Sequence, residues 1–427
     1  MGTAGRYLGP AVLLVALGLS PALGYATTFV LLGLAALALL LQRPTPPAGE
    51  PRTTAPPTRN GPSALLGEAG RGGATRWIAR GRPSAPATLF ALAYLLIVLS
   101  ALVTVRTPGD LLPLLGLAAP LFYAPLARLT GGESLVRPAI AGAFVGLAVA
   151  LLYRYGLGMA RAAEGFWLTD PYRLAVTTLL AATLGLGAWF TQGRLRWPSL
   201  LALGAALIVI QLTGSRTALL ALPVLLLVTG LCLARRPMQR AVIVVAAIAL
   251  ASAALFIELP GTGRSRLWDV LAALAAGSPV ADPAIDIRLG LAGAATEQFA
   301  AAPLFGHGWS EAVMPQALAL LTPGQLGWGP IPHLHADLAQ FAVSGGLLGL
   351  AAWVLLLIAP IAGYLQLPRE LRSPQRRHAL LVLVIGALVL GVPDTFLAAP
   401  MTLTIYVVLA AAIVGPPARG PHPTRLR

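Results

Sequence analysis

Long apolar runs separated by short polar connections constrain this chain more than any other feature. A helix that crosses the hydrocarbon core of a bilayer needs about 20 predominantly apolar residues, and runs of roughly this length recur along the whole sequence. Only 11% of the residues are charged, whereas soluble domains carry roughly a quarter. The sequence therefore predicts an all-α, polytopic membrane protein.

Run length and flanking charge predict twelve transmembrane helices. Nine of them fall within residues 1–257, of which the first is expected to be an uncleaved membrane helix, and three fall within residues 338–427, followed by a cytoplasmic tail. Residues 42–86 are rich in Pro, Arg, Gly and Thr and lack apolar periodicity, which predicts a disordered cytoplasmic linker. The predicted spans lie near residues 8–23, 27–41, 87–104, 110–127, 138–154, 173–191, 198–212, 217–234, 241–257, 338–361, 378–393 and 401–415.

The distribution of arginine predicts the orientation of these spans. Cytoplasmic loops carry an excess of basic residues, and all 30 basic residues of this chain are arginine. With both termini in the cytoplasm, 22 of the 30 fall on the cytoplasmic side, which accounts for the net charge of +15 without a nucleic-acid partner. The other eight lie in exterior segments and are the unusual ones: Arg106, Arg154, Arg161, Arg173, Arg216, Arg264, Arg266 and Arg288.

The longest exterior segment, residues 258–337, has a pattern of its own. Its apolar residues recur at helical spacing from Leu267 to Leu274 and again from Ile287 to Phe299. Polar residues occupy the other positions, and glycine and proline interrupt the pattern. We therefore expect a periplasmic domain of amphipathic helices that folds onto the membrane spans.

Two exterior arginines have the chemistry of an anion site. Arg216, in the sequence LTGSRTA, stands at the outer end of a span, where an arginine is costly unless it is paired or hydrated. Arg288 follows Asp282-Pro283, which is typical of a capped helix start, and a helix N-terminus beside an arginine attracts anions. The alternatives are an interfacial arginine that reaches lipid headgroups for Arg216, and an ion pair with Asp282 or Asp286 for Arg288.

His335 is the residue best suited to proton transfer, because histidine titrates near neutral pH and can position or deprotonate a hydroxyl group. A single interfacial histidine is more often structural. Asp337 either orients His335 or caps the following helix. His307, His333 and His335 raise the alternative of a zinc site. A His-X-His pair points to opposite sides of a helix but to one side of a strand. No strand is predicted here, no further Cys, Asp or Glu ligand stands at typical spacing, and no DxD motif accompanies the pair. We expect no metal and no other cofactor.

Glycines and tryptophans complete this region. Gly345, Gly346 and Gly349 are most simply explained by close helix packing. Tryptophans at a membrane interface either anchor the protein there or stack on sugar rings, and anchoring is the more common role. The tryptophans in question are Trp309, Trp328 and Trp353.

In their order and spacing, three of these segments resemble the O-antigen ligase family. They are the TGSR turn at Thr213–Arg216, Arg288 with the PLFGxG segment at Pro303–Gly308, and His335 with the GxxG segment at Gly346–Gly349. The resemblance covers roughly residues 200–360. It implies a fold similar to the GT-C membrane glycosyltransferases. The activity it implies is a metal-independent, inverting transfer of O-antigen glycan from undecaprenyl diphosphate to the lipid A-core oligosaccharide at the periplasmic face of the bacterial inner membrane.

The resemblance also implies roles for individual residues. Arg216 and Arg288 would hold the diphosphate and His335 would activate or position the acceptor hydroxyl, with weaker diphosphate candidates in Arg264, Arg266 and His333. The family often has asparagine after this histidine, whereas this chain has Ala336. An O-antigen polymerase and a protein O-oligosaccharyltransferase are the alternatives within related enzymes. A transporter is the alternative from another class, but almost no acidic residue lies well inside an apolar run.

Overall fold

The computed structural model describes residues 3–41, 84–163, 169–192, 197–256, 267–278, 282–309, 313–326 and 331–416. Within these ranges all regular secondary structure is helical, which confirms the predicted fold class. Most of the predicted linker and of the C-terminal tail lies outside the described residues. The α-helices are α1 (Thr3–Leu13), α2 (Ser20–Leu23), α3 (Ala26–Leu41), α4 (Ala85–Thr104), α5 (Leu112–Gly116), α6 (Tyr123–Thr130), α7 (Val136–Leu151), α8 (Pro171–Gly185), α9 (Ala188–Gln192), α10 (Trp197–Thr213), α11 (Arg216–Leu233), α12 (Pro237–Phe256), α13 (Leu267–Ala275), α14 (Pro283–Ala301), α15 (Val313–Leu318), α16 (Pro323–Leu326), α17 (Asp337–Gln366), α18 (Pro374–Gly391) and α19 (Pro400–Val414).

Several helices begin at a polar cap followed directly by proline. Asp170, Asp282 and Ser373 each accept a hydrogen bond from a backbone N–H of the first turn, and each precedes the proline that starts α8, α14 or α18. Proline suits this position because its missing N–H has no partner in a first turn anyway. The helix start predicted at Asp282-Pro283 is confirmed.

Among the described residues, six helices are long and apolar enough to cross a membrane. A bent pair at residues 108–130 is a seventh candidate, and five shorter apolar helices of 10–17 residues accompany them. The predicted count of twelve spans is not confirmed, because it is reached only if the bent pair and all the shorter helices cross as well. The six long candidates are Ala85–Thr104, Val136–Gly156, Pro171–Phe190, Arg216–Leu233, Asp337–Gln366 and Pro374–Gly391.

The core lies around α19. This helix of 15 residues is buried on all sides and packs against α3, α6, α17 and α18. Its Tyr406 hydroxyl donates to the Leu356 carbonyl of α17 at 3.0 Å, and α17 in turn runs along α4. A short apolar run of this kind is typical of a helix surrounded by protein.

Segments from distant parts of the chain meet at one end of the helix bundle, here called the site end. They are the turn at Tyr25, residues 157–163 and 169–170, the turn at residues 213–216, the start of α14, and the segments 331–337 and 392–399. Hydrogen bonds join them: the Tyr25 hydroxyl donates to Asp170 at 3.0 Å, and Arg161 Nε donates to the Thr213 carbonyl at 3.0 Å. The arginine distribution predicts that all of these segments lie on the exterior side of the membrane.

Candidate functional site

Arg216 stands in the first turn of α11, at the site end. Gly214 adopts the left-handed conformation (φ +61°), and the Ser215 hydroxyl accepts the backbone N–H of Ala218 at 3.4 Å, so the chain reverses and α11 begins at once. Arg216 Nη1 lies 2.7 Å from Oδ2 of Asp282, whose carboxylate also caps α14. Both side chains are largely buried. The turn that carries Arg216 is therefore fixed to the start of the helix that carries Arg288.

Arg288 lies in the second turn of α14 and is more accessible, with 29% of its side chain exposed. Its Nε donates to the Pro393 carbonyl at 3.0 Å and its Nη1 to the Ala284 carbonyl at 2.7 Å. Its Nη2 lies 3.5 Å from Oδ2 of Asp394. The acidic partner of Arg288 is therefore Asp394, in the segment after α18, and neither Asp282 nor Asp286.

His333 and His335 face the same carboxylate. Their Nδ1 atoms lie 3.8 Å and 3.4 Å from Oδ1 of Asp394, and their ring centroids are 4.3 Å apart. The segment is not helical, and His335 has a left-handed backbone (φ +51°), which few non-glycine residues adopt. This conformation turns both rings toward one side, whereas a helix would have separated them.

Four titratable or charged residues form this cluster, and their proximity and burial shift the pKa values of two of them, His333 and Asp394. The cluster consists of Arg288, His333, His335 and Asp394. Burial by itself would raise the pKa of Asp394, but the electrostatic interactions with His335, His333 and Arg288 hold this pKa well below its ordinary value. Burial lowers the pKa of His333 to about 3, although Asp394 opposes this shift. The backbone N–H of His335 donates to Nδ1 of His333 at 3.3 Å, which fits a neutral ring. Asp394 is therefore an anion beside a neutral His333 at pH 7.

Asp337 holds the segment that carries Asp394. Its buried carboxylate accepts the backbone N–H groups of Phe396, Leu397 and Ala398 at 2.8, 2.8 and 2.9 Å. A Cβ atom at Gly391 would lie 2.2 Å from Oδ2 of Asp337, so glycine is needed at the end of α18. Asp337 thus acts on His335 through the placement of Asp394.

The PLFGxG and GxxG segments form one joint. Helix α17 is broken at Gly346 (φ +59°), and at this break His307 N donates to the Val343 carbonyl at 2.8 Å and Leu347 N to the Pro303 carbonyl at 2.7 Å. A Cβ atom at Gly346 would lie 2.5 Å from the carbonyl carbon of Leu304. Close helix packing was predicted for these glycines, but Gly346 approaches the Leu304–Phe305 segment and Gly349 approaches Phe341 across the break in α17; only Gly345 lies against another helix, at Ser100 of α4. The joint fixes the first turns of α17 next to the end of α14.

Other predicted residues lie away from the Asp394 cluster or outside the described residues. The His307 ring contacts the Gln298 carbonyl at 2.8 Å. Trp309 is buried, donates to the Ser100 hydroxyl at 2.9 Å and packs edge-on against Phe341. Three candidates fall outside the described residues: Arg264, Arg266 and Trp328.

Sequence reasoning missed a second polar group at the site end, formed by Tyr25, Asp170 and Arg173. The Arg173 guanidinium lies 5.0 Å above the centre of the Tyr25 ring and pairs with Asp170, which also accepts the Tyr25 hydroxyl. Burial, with Asp170 adding to it and Arg173 opposing it, raises the pKa of Tyr25 to about 12. Asp394 contributes to the same shift, so the two groups lie within electrostatic reach.

Asp394 was missed as well, because it lies outside the motifs that carry the family resemblance. A signal for it exists. The chain has only 15 acidic residues, and an aspartate directly after an apolar run that ends in Gly-Val-Pro is unusual in such a sequence.

His333, His335 and Asp394 form the group among the described residues that could hold a metal ion, with ligand atoms within 4.8 Å of one another. Two imidazoles and a carboxylate are suitable zinc ligands. However, the Arg288 guanidinium shares the Asp394 carboxylate, and its positive charge opposes a dication at this position. The expectation that no metal is needed stays a prediction.

Together these features define an integral membrane protein with a buried carboxylate that links an arginine to a histidine pair. Comparison with protein families identifies the domain: residues 200–354 match the O-antigen ligase family. This stretch includes Arg216, Arg288 and His335, whereas Asp394 lies beyond it. The chain thus carries an O-antigen ligase domain, which confirms the resemblance that the motifs indicated and supports a function of the ligase or polymerase type. No curated protein matches the chain.

Proposed function

We propose that this protein is an O-antigen ligase, which transfers a glycan from undecaprenyl diphosphate to the lipid A-core oligosaccharide. The observation that carries the proposal is the convergence of Arg288 and His335 on Asp394. It places a cation suited to a diphosphate beside a base suited to a hydroxyl, which are the two groups that such a transfer needs. The match to the O-antigen ligase family supports the same reaction.

Arg288 is the proposed contact of the diphosphate. Part of its guanidinium is exposed, and its position is fixed by two backbone carbonyls and Asp394. Negative charge develops on the diphosphate as the bond from the anomeric carbon to oxygen breaks, and a positioned guanidinium stabilises that charge without a metal. Arg216 adds positive charge nearby and fixes the start of α14 through Asp282.

His335 is the proposed base. Its Nδ1 faces Asp394 at 3.4 Å, which leaves Nε2 to accept the proton of the acceptor hydroxyl. The hydroxyl oxygen attacks the anomeric carbon on the side opposite the diphosphate, so one glycosidic bond forms, the bond to the diphosphate breaks, and the configuration inverts. The Asp394 carboxylate stabilises the imidazolium that results.

The proposed enzyme lies in the bacterial inner membrane, with twelve spans in a GT-C-like arrangement, both termini in the cytoplasm and the site end facing the periplasm. The uneven distribution of arginine supports this orientation, because the segments that meet at the site end carry few arginines and the opposite connections carry most of them.

The deciding experiment uses purified protein in liposomes with undecaprenyl diphosphate-linked glycan and lipid A-core. We expect glycan on the lipid A-core, in the presence of a chelator as well as in its absence. Longer glycan on the carrier would instead identify a polymerase, and glycosylation of an added protein would identify an O-oligosaccharyltransferase. Movement of the carrier-linked glycan across the bilayer without any new bond would identify a transporter.

A second experiment separates the two roles of Arg216. If Arg216 also contacts the diphosphate, Asp282→Ala should reduce transfer less than Arg216→Ala, because the arginine remains. If Arg216 only fixes α14 through Asp282, the two variants should lose the same activity. The assay is the transfer rate at saturating donor and at low donor concentration, since a lost diphosphate contact raises the KM for the donor.

A further inference from the structure

A tyrosine hydroxyl holds the end of the helix from which the Asp394 segment leaves. Helix α18 ends at Gly391, and the carbonyl groups of a last helical turn have no partner within the helix. The Tyr172 hydroxyl of α8 donates to one of them, the Leu390 carbonyl, at 2.9 Å. Leu390 is fully buried, and Pro393, three residues further on, has no N–H that could serve this carbonyl. The hydrogen bond from α8 therefore satisfies a buried acceptor four residues before Asp394.

Tyr172 is itself placed by the helix start that carries it. Asp170 caps α8 by accepting the backbone N–H of Arg173 at 2.8 Å, and it also pairs with the Arg173 side chain. The same aspartate accepts the Tyr25 hydroxyl, from the turn between α2 and α3, at 3.0 Å. The Tyr172 side chain is half-buried and packs against the main core. The first turn of α8 is thus fixed to the rest of the bundle independently of α18.

The other contacts of the Asp394 segment come from elements that carry the proposed site residues. Arg288 Nε of α14 donates to the Pro393 carbonyl at 3.0 Å, and Asp337 of α17 accepts the backbone N–H groups of residues 396–398. Arg288 is a partner of Asp394, and α17 begins just after His335. Neither element can therefore serve as an independent reference for Asp394. Tyr172 belongs to neither and gives the segment a fixed point in the bundle.

We propose that Tyr172 is a positioning residue for Asp394. Its hydroxyl fixes the end of α18 and thereby sets the place of the Asp394 carboxylate relative to Arg288 and His335. The inference rests on the proposed function, in which Arg288 and His335 act on the substrates, and it gives Tyr172 no contact with either substrate. A displacement of about 1 Å in a positioned group can cost on the order of 100-fold in rate, so a fixed end of α18 bears directly on the transfer.

The test is a double-mutant cycle of Tyr172→Phe and Asp394→Asn in the liposome transfer assay. Phenylalanine keeps the ring and removes only the donor. In the wild-type background Tyr172→Phe should lower kcat roughly three- to tenfold, the size expected for one neutral hydrogen bond, with a smaller change in the KM for the donor. In the Asp394→Asn background it should lower kcat by less than about twofold, because a residue that acts through Asp394 then has no carboxylate to position.

The matched control is Tyr94→Phe on α4. The Tyr94 hydroxyl also donates to a backbone carbonyl, that of Leu114 in the short helix α5, at 3.2 Å. This variant loses the same kind of hydrogen bond and should transfer glycan at the wild-type rate. Hydrogen exchange followed by mass spectrometry gives a readout that needs no substrate. The backbone amides of residues 392–399 should exchange faster in Tyr172→Phe than in wild type, and at the wild-type rate in Tyr94→Phe.

Three results would overturn the inference. The same fall in kcat for Tyr172→Phe in both backgrounds would show that Tyr172 supports the bundle and does not act through Asp394. An equal fall in Tyr94→Phe would assign the loss to reduced stability. Unchanged exchange of residues 392–399 in Tyr172→Phe would show that its hydroxyl does not fix this segment. A wild type without ligase activity would refute the proposed function alone, since the exchange measurement tests the role of Tyr172 in holding the segment by itself.

Discussion

The two ends of the helix bundle use arginine in opposite ways. At the site end Arg216 and Arg288 each pair with an aspartate on another segment of the chain. At the opposite end the arginines in the connection between α11 and α12, Arg235 and Arg236, are exposed. An excess of exposed arginine sets the orientation of a membrane protein, whereas a buried arginine is costly unless it is paired, so one that is kept with a specific acidic partner marks a functional-site candidate. The acidic partners of Arg216 and Arg288, more than the number of arginines, therefore indicate that the candidate active site lies at the site end.

The largest expected effect is the loss of transfer in Arg288→Ala. Removing one positioned donor that stabilises a developing negative charge costs about 100- to 1,000-fold in rate. The matched substitution at the opposite end, Arg236→Ala, should leave transfer at the wild-type level. Both variants would be assayed in liposomes after equal insertion is established. Comparable transfer activity in Arg288→Ala and Arg236→Ala would show that the site end does not carry the catalytic arginine.

The next effect is expected for Asp394→Asn, which keeps the shape of the side chain but removes its charge. Asp394 positions Arg288 and His335 together, and losing a carboxylate that orients a functional histidine costs roughly 10- to 100-fold in activity. The loss should appear in kcat and should change the dependence of the rate on pH, because the protonated His335 loses its counter-ion.

The control for Asp394→Asn is Asp286→Asn on α14. The Asp286 carboxylate accepts from Gln325 at 3.2 Å and is not a partner of Arg288. This variant should retain most of the transfer activity. An unchanged pH profile in Asp394→Asn would show that Asp394 serves the fold and not the base.

The motif residues could be predicted from the sequence, whereas their partners could not. Apolar run length and a polar residue before proline are local signals, so the all-helical fold class and the cap at Asp282 were predicted correctly, whereas the count of twelve spans is not confirmed. The pairing of Arg288 with Asp394 joins segments separated by the four helices α15 to α18, and local sequence patterns do not predict contacts over such a separation. Helical periodicity also does not predict the left-handed backbone of His335. For this reason the sequence did not predict that both histidines of the His-X-His segment face the Asp394 carboxylate.

The joint between α17 and the PLFGxG segment supplies a stability test at the site end. In Gly346→Ala the new Cβ would lie 2.5 Å from the Leu304 carbonyl carbon, and alanine would have to adopt φ +59°. The left-handed backbone alone costs an L-residue about 1–2 kcal/mol, and the clash adds to it. We expect a clear fall in thermal stability in detergent together with reduced transfer.

Gly293 on α14 is the matched control for Gly346. An added Cβ there meets nothing within 4 Å, and the residue is helical. Gly293→Ala should be neutral or stabilising by up to about 1 kcal/mol, because alanine favours the helix. Equal stability of the two alanine variants would show that the break in α17 is not a rigid joint.

The smallest effect concerns His333 and the response to acid. Its pKa is about 3 in the folded protein and near 6.5 in an unfolded chain, so between these values the unfolded state binds more protons. The contribution of His333 to the free energy of unfolding therefore rises with pH across this window. Lowering the pH from 7 to 5.5 reduces this contribution by about 1 kcal/mol. The depressed pKa of Asp394 adds a loss only below its ordinary range. His333→Gln should reduce the slope between pH 7 and pH 5.5 in thermal unfolding relative to wild type, whereas an unchanged slope in this variant would assign it to other groups.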